Sequence, residues 1–111
     1  MGSDQRQFLR VPLSLEVQYS LMGDFLVDYT SNISLGGCFV MTDRINEFQV
    51  GDNLQMTLVL PNQTVLVKAI VRWISTHADQ RGLGVQYEFM NATDQATIEG
   101  LIKGCQKPNA I

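Results

Sequence analysis

Nowhere in this chain of 111 residues do apolar side chains continue for the ~20 positions that a membrane-spanning helix needs. No charged stretch followed by an apolar one opens it either, so the sequence is expected to be cytoplasmic and to have no membrane partner. Cysteine and histidine are scarce: Cys38, Cys105 and His77 stand far apart, without the spacing of a metal site. Both thiols are expected to be reduced and packed as small hydrophobes, Cys105 on an apolar helix face. Basic residues are outnumbered, 8 Lys and Arg against 11 Asp and Glu for a formal net charge of −3. That balance argues against general nucleic-acid binding, which relies on a basic stripe.

Signatures of catalysis are missing as well. No Gly-rich loop ends in Lys, as a nucleoside triphosphate site would require. Ser34 has no motif-linked base, and Asp24, Asp28, Asp43 and Asp52 are scattered rather than clustered around a prospective divalent ion. The expectation is a protein that is not an enzyme and carries no cofactor or metal. With no linker, repeat or low-complexity segment, residues 1–111 read as one domain.

What the chain does have is alternation. Leu13, Leu15, Val17 and Tyr19 interleave with Ser14, Glu16, Gln18 and Ser20, the period of a half-buried strand. Further strands are expected over Phe25 to Thr30, Cys38 to Met41, Leu54 to Leu60, Thr64 to Ile74 and Leu83 to Phe89. Short strands with regular turn signals and no helices between them favour a closed antiparallel barrel, here six-stranded and spanning 13–90. A helix over 93–104 should follow, capped by Thr93, with Ile98, Leu101, Ile102 and Cys105 on one face and packed over a mouth of the barrel. The fold class is thus mainly β with one C-terminal α-helix.

Two short patterns lie one hairpin apart. Arg6 and Arg10, separated by Gln7, Phe8 and Leu9, put two planar guanidiniums on one segment, suited to phosphate oxygens and to the O6/N7 edge of guanine. Pro12 pushes Val11 away from helical angles, so this segment should run extended, with the two arginines on one side and ~13 Å apart. Downstream, Asn32, Ser34, Gly36 and Gly37 supply an amide, a hydroxyl and two glycines on a strand-to-strand turn, where a ligand can approach the backbone closely. Taken by themselves, the arginines are as readily a solvated terminal pair, and the turn a self-bonded one whose glycines supply positive φ. Trp73 shares the alternation of Ala69 and Val71, which favours core or barrel-rim packing, with Arg72 pointing outward.

In this order and at this separation, the two patterns resemble the RxxxR and D/N-x-S-x-x-G signatures of PilZ domains, bacterial receptors for cyclic di-GMP. The resemblance extends to Val11 and Pro12, to Val71, Arg72 and Trp73, and to the strand from Gly82 to Tyr87. It implies a Greek-key-like barrel that binds cyclic di-GMP through Arg6, Arg10, Asn32, Ser34, Gly36 and Gly37. In that reading the arginines meet phosphate and guanine, Asn32 reads a guanine edge and Ser34 bonds a phosphate or base. Gly37 leaves room for the ligand, and the amides of Gly36 and Gly37 form a small anion nest. Trp73 would border the ligand and stack on a guanine.

Residues Asp4 to Arg10 are polar and basic with little apolar content beyond Phe8 and Leu9, so the N-terminal segment 1–10 is expected to be flexible without a ligand and to close over it on binding. Gln5, just before the first Arg, occupies the position that helps to set whether one ligand or an intercalated pair is bound. Asn32 stands where many members carry Asp; its amide offers one acceptor oxygen to guanine N1–H and N2–H₂ and must orient it, so somewhat lower affinity is expected. The protein so implied is an adaptor, monomeric or weakly dimeric, that relays the messenger by touching an effector protein. Two other classes are consistent with the residues: an interaction domain that kept the fold without the ligand, and a small barrel that stacks single-stranded nucleic acid on Phe39, Trp73 and Tyr87.

Overall fold

The computed structural model of the protein describes residues 10–106. The alternating segments form strands β1 (Val11–Pro12), β2 (Glu16–Leu21), β3 (Asp24–Ile33), β4 (Gly37–Met41), β5 (Asn53–Val59), β6 (Thr64–Ser75) and β7 (Gly82–Phe89). Helix α1 (Ala92–Gln106) follows. All pairings are antiparallel. The sheet runs β3-β2-β5-β6-β7-β4, and β4 pairs back onto β3, closing a six-stranded barrel that leaves no free edge among those strands. The short β1 adds to β3, with Val11 opposite Ile33 and Pro12 opposite Asn32.

Period-2 alternation fills the barrel. Val17, Met56, Leu58, Val65, Ala69 and Leu83 are fully buried, and each of the larger side chains contributes roughly 1.5–3 kcal/mol by leaving water. One end is stoppered by Phe48, whose ring meets that of Tyr19 at 6.1 Å, from the β4–β5 connection with its 3-10 turn Ile45–Glu47. At the other end Ile98 and Ile102 of α1 join the same core cluster, and Gln63 in the β5–β6 turn donates to Thr97 of the helix at 3.1 Å. No helix among the described residues is long and apolar enough to cross a membrane.

Four local expectations are corrected. The first strand is not continuous from Leu13: Pro12 has no N–H to offer, and residues 13–15 leave the ladder between β1 and β2. Thr30, buried on β3, holds this segment instead. Its Oγ1 accepts from Leu15 N–H at 2.9 Å and donates to the Leu13 carbonyl at 2.7 Å. The helix begins at Ala92 because Asn91 caps it, its Oδ1 accepting from Asp94 N–H at 2.8 Å, and it runs through Gly104 to Gln106. Cys105 is consequently exposed on the last turn, whereas Cys38 is buried as expected. Finally, positive φ occurs among the described residues only at Met22, Gly23 and Gly51, so neither Gly36 nor Gly37 supplies it, and Gly37 is required instead for close approach to a neighbouring strand.

Thr30→Val keeps the shape of the side chain but strands the Leu15 amide and the Leu13 carbonyl. Urea denaturation should show a loss of about 2–3 kcal/mol with the fold retained; an unchanged midpoint would mean that these groups find other partners.

Candidate functional site

A strand presents alternate residues to opposite faces, so one extra residue reverses which side chains look outward. This happens twice. On β3, Thr30 pairs with Val40 and Asn32 with Phe39, leaving Ser31 as a bulge: Thr30 and Ile33 both stay inside while Asn32 reaches the outer face. On β6, Val71 pairs with Val85 and Trp73 with Gly84, leaving Arg72 as the extra residue. Val71 is fully buried, but Trp73 is 40% exposed, so it does not share the inward face of Ala69 and Val71 as simple alternation predicts. Arg72 also faces out, its Nε donating to Gln86 Oε1 at 2.6 Å.

The two bulges bring Asn32, Phe39, Gly84 and Trp73 into one row across four strands of the barrel wall. Gly84 is the low point of the row. A Cβ there would stand 2.0–2.5 Å from three atoms of the Trp73 ring, so the indole lies across the glycine backbone. It thereby reaches Phe39, with ring centroids 5.6 Å apart and tilted by 37°. Phe39 faces outward yet is only 6% exposed, and the bare backbone of Gly82 admits its ring edge from the other side. The result is a two-layer aromatic shelf, Phe39 below and Trp73 above.

Arg10 stands over this shelf. The pairing of β1 with β3 delivers it beside Asn32, and its Nη1 donates to Asn32 Oδ1 at 2.8 Å. Its guanidinium carbon lies 5.8 Å from the centre of the Trp73 ring, a cation–π contact of the order of 0.5–1 kcal/mol at such an exposed position. Arg6 and Gln5, with the rest of the expected N-terminal segment up to Leu9, lie outside the described residues.

The turn from Ser34 to Gly37 is self-contained. Ser34 Oγ accepts from the N–H groups of Gly36 and Gly37 at 3.1 and 3.2 Å, and the hydroxyl reaches the Gly37 carbonyl at 3.2 Å. The Ser34 amide donates to that carbonyl at 2.8 Å, and the Gly36 carbonyl accepts from Tyr87 N–H at 2.9 Å. The expected anion nest is therefore occupied by the protein's own hydroxyl: both glycine amides and the buried Ser34 side chain are engaged within the turn. Gly37 is needed for close approach, since a Cβ would lie 2.1 Å from the Val85 carbonyl oxygen. Behind the turn, burial pushes the Cys38 thiol up to about 12, against smaller opposing effects of Tyr87 and Arg10. Burial, followed by the neighbouring Cys38, raises the Tyr87 phenol too, and its hydroxyl has no partner in hydrogen-bond geometry. Neither group is ionised near neutrality, so the wall beneath Arg10 and Asn32 adds no negative charge.

The structure thus brings together Arg10, Asn32 and Trp73, and sets the Ser34–Gly37 turn directly beyond Asn32. Sequence reasoning missed Phe39 as the floor of the shelf and Gly84 as the gap that admits the indole. The alternating glycines at 82 and 84 in an otherwise apolar strand were the available signal, because a glycine within a strand marks a close approach. Gly84→Ala should expel the Trp73 ring. As Trp73 is the only tryptophan, its emission should shift to the red while far-ultraviolet circular dichroism stays unchanged; an unshifted spectrum would remove Gly84 from this role.

Comparisons with known proteins follow the same lines. The family model described as PilZ domain matches residues 4–104. The Bacillus subtilis inhibitor of motility MotI/DgrA superposes with a TM-score of 0.82 at 24% identity, over 95% of this chain and 53% of that one. The PilZ domain of YcgR from Escherichia coli, solved with c-di-GMP, gives 0.73 at 16% identity over 93% and 92%. The K. pneumonia MrkH–c-di-GMP complex gives 0.71 at 20% identity over 87% and 50%. The chain thus spans about half the length of MotI/DgrA and MrkH. A sequence comparison with curated proteins returns no match.

Proposed function

Since the chain belongs to the PilZ domain family, we propose that it is a receptor for cyclic di-GMP that binds the dinucleotide on the aromatic shelf beside β1 and relays its presence by contact with an effector protein. The observation that carries this reading is the Arg10 guanidinium, bonded to Asn32 and poised over Trp73. A cation, an amide and an exposed π face within one patch match the phosphate, the base edge and the base plane of a guanine nucleotide. That MrkH and the YcgR PilZ domain were solved with c-di-GMP supports the choice of ligand.

In this proposal Arg10 pairs with phosphate or forks to a guanine, Trp73 stacks on a base, and Asn32 contacts a base edge. Arg6 supplies the second guanidinium from the N-terminal segment. Ser34, Gly36 and Gly37 act through the turn they build, which fixes Asn32 and keeps the backbone low enough for the ligand to approach. The protein works as a cytoplasmic adaptor, monomeric or weakly dimeric, with no cofactor beyond the messenger and no catalytic step.

Titration calorimetry with cyclic di-GMP, paralleled by Trp73 emission, tests the assignment. Quenching of that single indole on binding is expected. Arg10→Ala should cost ~2–4 kcal/mol, roughly a 30- to 1000-fold loss of affinity, with the fold intact. An unchanged dissociation constant would refute the site. Cyclic di-AMP should bind far more weakly than cyclic di-GMP, because adenine places a donor where guanine has its O6 acceptor; equal affinities would mean that only charge and ring size are read.

A further inference from the structure

One strip of the outer barrel wall is apolar. Phe25, Val27 and Tyr29 are successive outward residues of β3, and Met41 stands opposite Tyr29 on β4. In that order they are 66, 45, 52 and 39% exposed, and they adjoin one another. Contiguous apolar surface of this kind marks a contact site, unlike apolar residues scattered singly. The other exposed apolar residues on this side of the wall, Leu66 and Phe89, stand apart on β6 and β7, separated from the row by the polar Gln18, Gln55, Thr57 and Lys68.

The charges beside the row are acidic. Glu16 lies next to Tyr29 on β2 and Asp24 adjoins Phe25, and among the described residues neither forms an ion pair. Beyond Met41, Asp43 is paired with Arg81 at 3.7 Å and Arg44 with Glu47 at 3.5 Å, so those four charges cancel. A net negative border disfavours an anionic lipid surface or a nucleic acid and favours a protein that carries Lys or Arg beside its own apolar residues. The row is also continuous with the aromatic shelf, because Phe39 and Met41 are successive outward residues of β4.

Resting on the proposal that the chain relays cyclic di-GMP to an effector protein, we infer that this row is where the effector docks, and that the effector presents an amphipathic helix whose apolar stripe is flanked by Lys or Arg. Outward residues of a strand recur every ~6.7 Å and residues four apart on a helix every ~6 Å, so successive turns of the helix meet Phe25, Val27 and Tyr29. A helix satisfies its own backbone and can dock on side chains alone. Cyclic di-GMP on the shelf adds two negative charges beside the Met41 end of the row, which strengthens the hold on a helix with basic flanks. The ligand thereby becomes part of the docking surface.

The probe is a fluorescein-labelled, end-capped peptide of about 18 residues, long enough to be helical, with leucines four apart and lysines on both flanks. A second peptide carries glutamates in place of the lysines. By fluorescence anisotropy against the full chain, the lysine peptide should bind about tenfold more tightly than the glutamate peptide. Saturating cyclic di-GMP should tighten the lysine peptide about fivefold further. Val27→Ser and Tyr29→Ser should each cost about tenfold with circular dichroism unchanged, the scale of a truncated apolar anchor. Leu66→Ser, three strands from Val27, should change nothing. Glu16→Lys, which leaves the apolar row untouched, should narrow the difference between the two peptides. Phosphatidylglycerol vesicles should not bind.

No binding of the lysine peptide, equal binding of both peptides, an equal loss from Leu66→Ser and Tyr29→Ser, or binding of the vesicles would overturn the inference. Cyclic di-GMP that binds without altering the affinity for the lysine peptide would also overturn it, while leaving the receptor assignment standing. Absence of cyclic di-GMP binding would overturn both.

Discussion

A β-strand cannot present neighbouring residues to the same face, and the outward patch of Asn32 and Trp73 on this barrel exists because that rule is broken in β3 and in β6. Thr30, Ile33 and Val71 must remain inside for the core to close, while Asn32 and Trp73 must stand outside for the wall to carry polar and aromatic groups. One unpaired residue in each strand, Ser31 in β3 and Arg72 in β6, satisfies both demands. Remove either bulge and a site residue turns inward or a core residue turns out.

The remaining site follows from the positions those bulges define. Once Trp73 faces outward opposite Gly84, the missing side chain lets the indole lie flat enough to cover Phe39, and the covered phenyl ring holds it there. Arg10 then has a polarisable surface beneath it and a neutral amide beside it. The buried Cys38 thiol and the buried hydroxyl of half-buried Tyr87 remain protonated behind it. Among the described residues no carboxylate forms an ion pair with it. The Ser34 hydroxyl, by satisfying two amides and a carbonyl, keeps the adjoining turn rigid without help from a bound anion.

The barrel and its helix were legible because they depend on long patterns: period-2 alternation over six segments and a helical stripe containing Ile98 and Ile102. The patch was half legible, since Arg10, Asn32 and the turn glycines lie in short recognisable patterns. What escaped the sequence were single-residue events. Nothing in the chemistry of Ser31 or Arg72 distinguishes a bulged residue from a paired one, so strict alternation put Trp73 on the wrong face. Phe39 could be named as a possible stacking face, but not as the floor beneath Trp73, because that partner lies on a distant strand. Asn91 and Thr93 are both good capping residues, and only the backbone decides between them.

The row from Asn32 to Trp73 also has a history in time. Arg10 meets Asn32 through the pairing of β1 with β3, and Phe39 meets Trp73 only after β4 has found β7, a strand far along the chain. Contacts of such separation carry the largest loop-closure entropy and come late in folding. The shelf is therefore assembled by the same step that closes the barrel. A partly formed chain has the residues but no surface on which to gather them, so the patch belongs only to molecules whose barrel has closed.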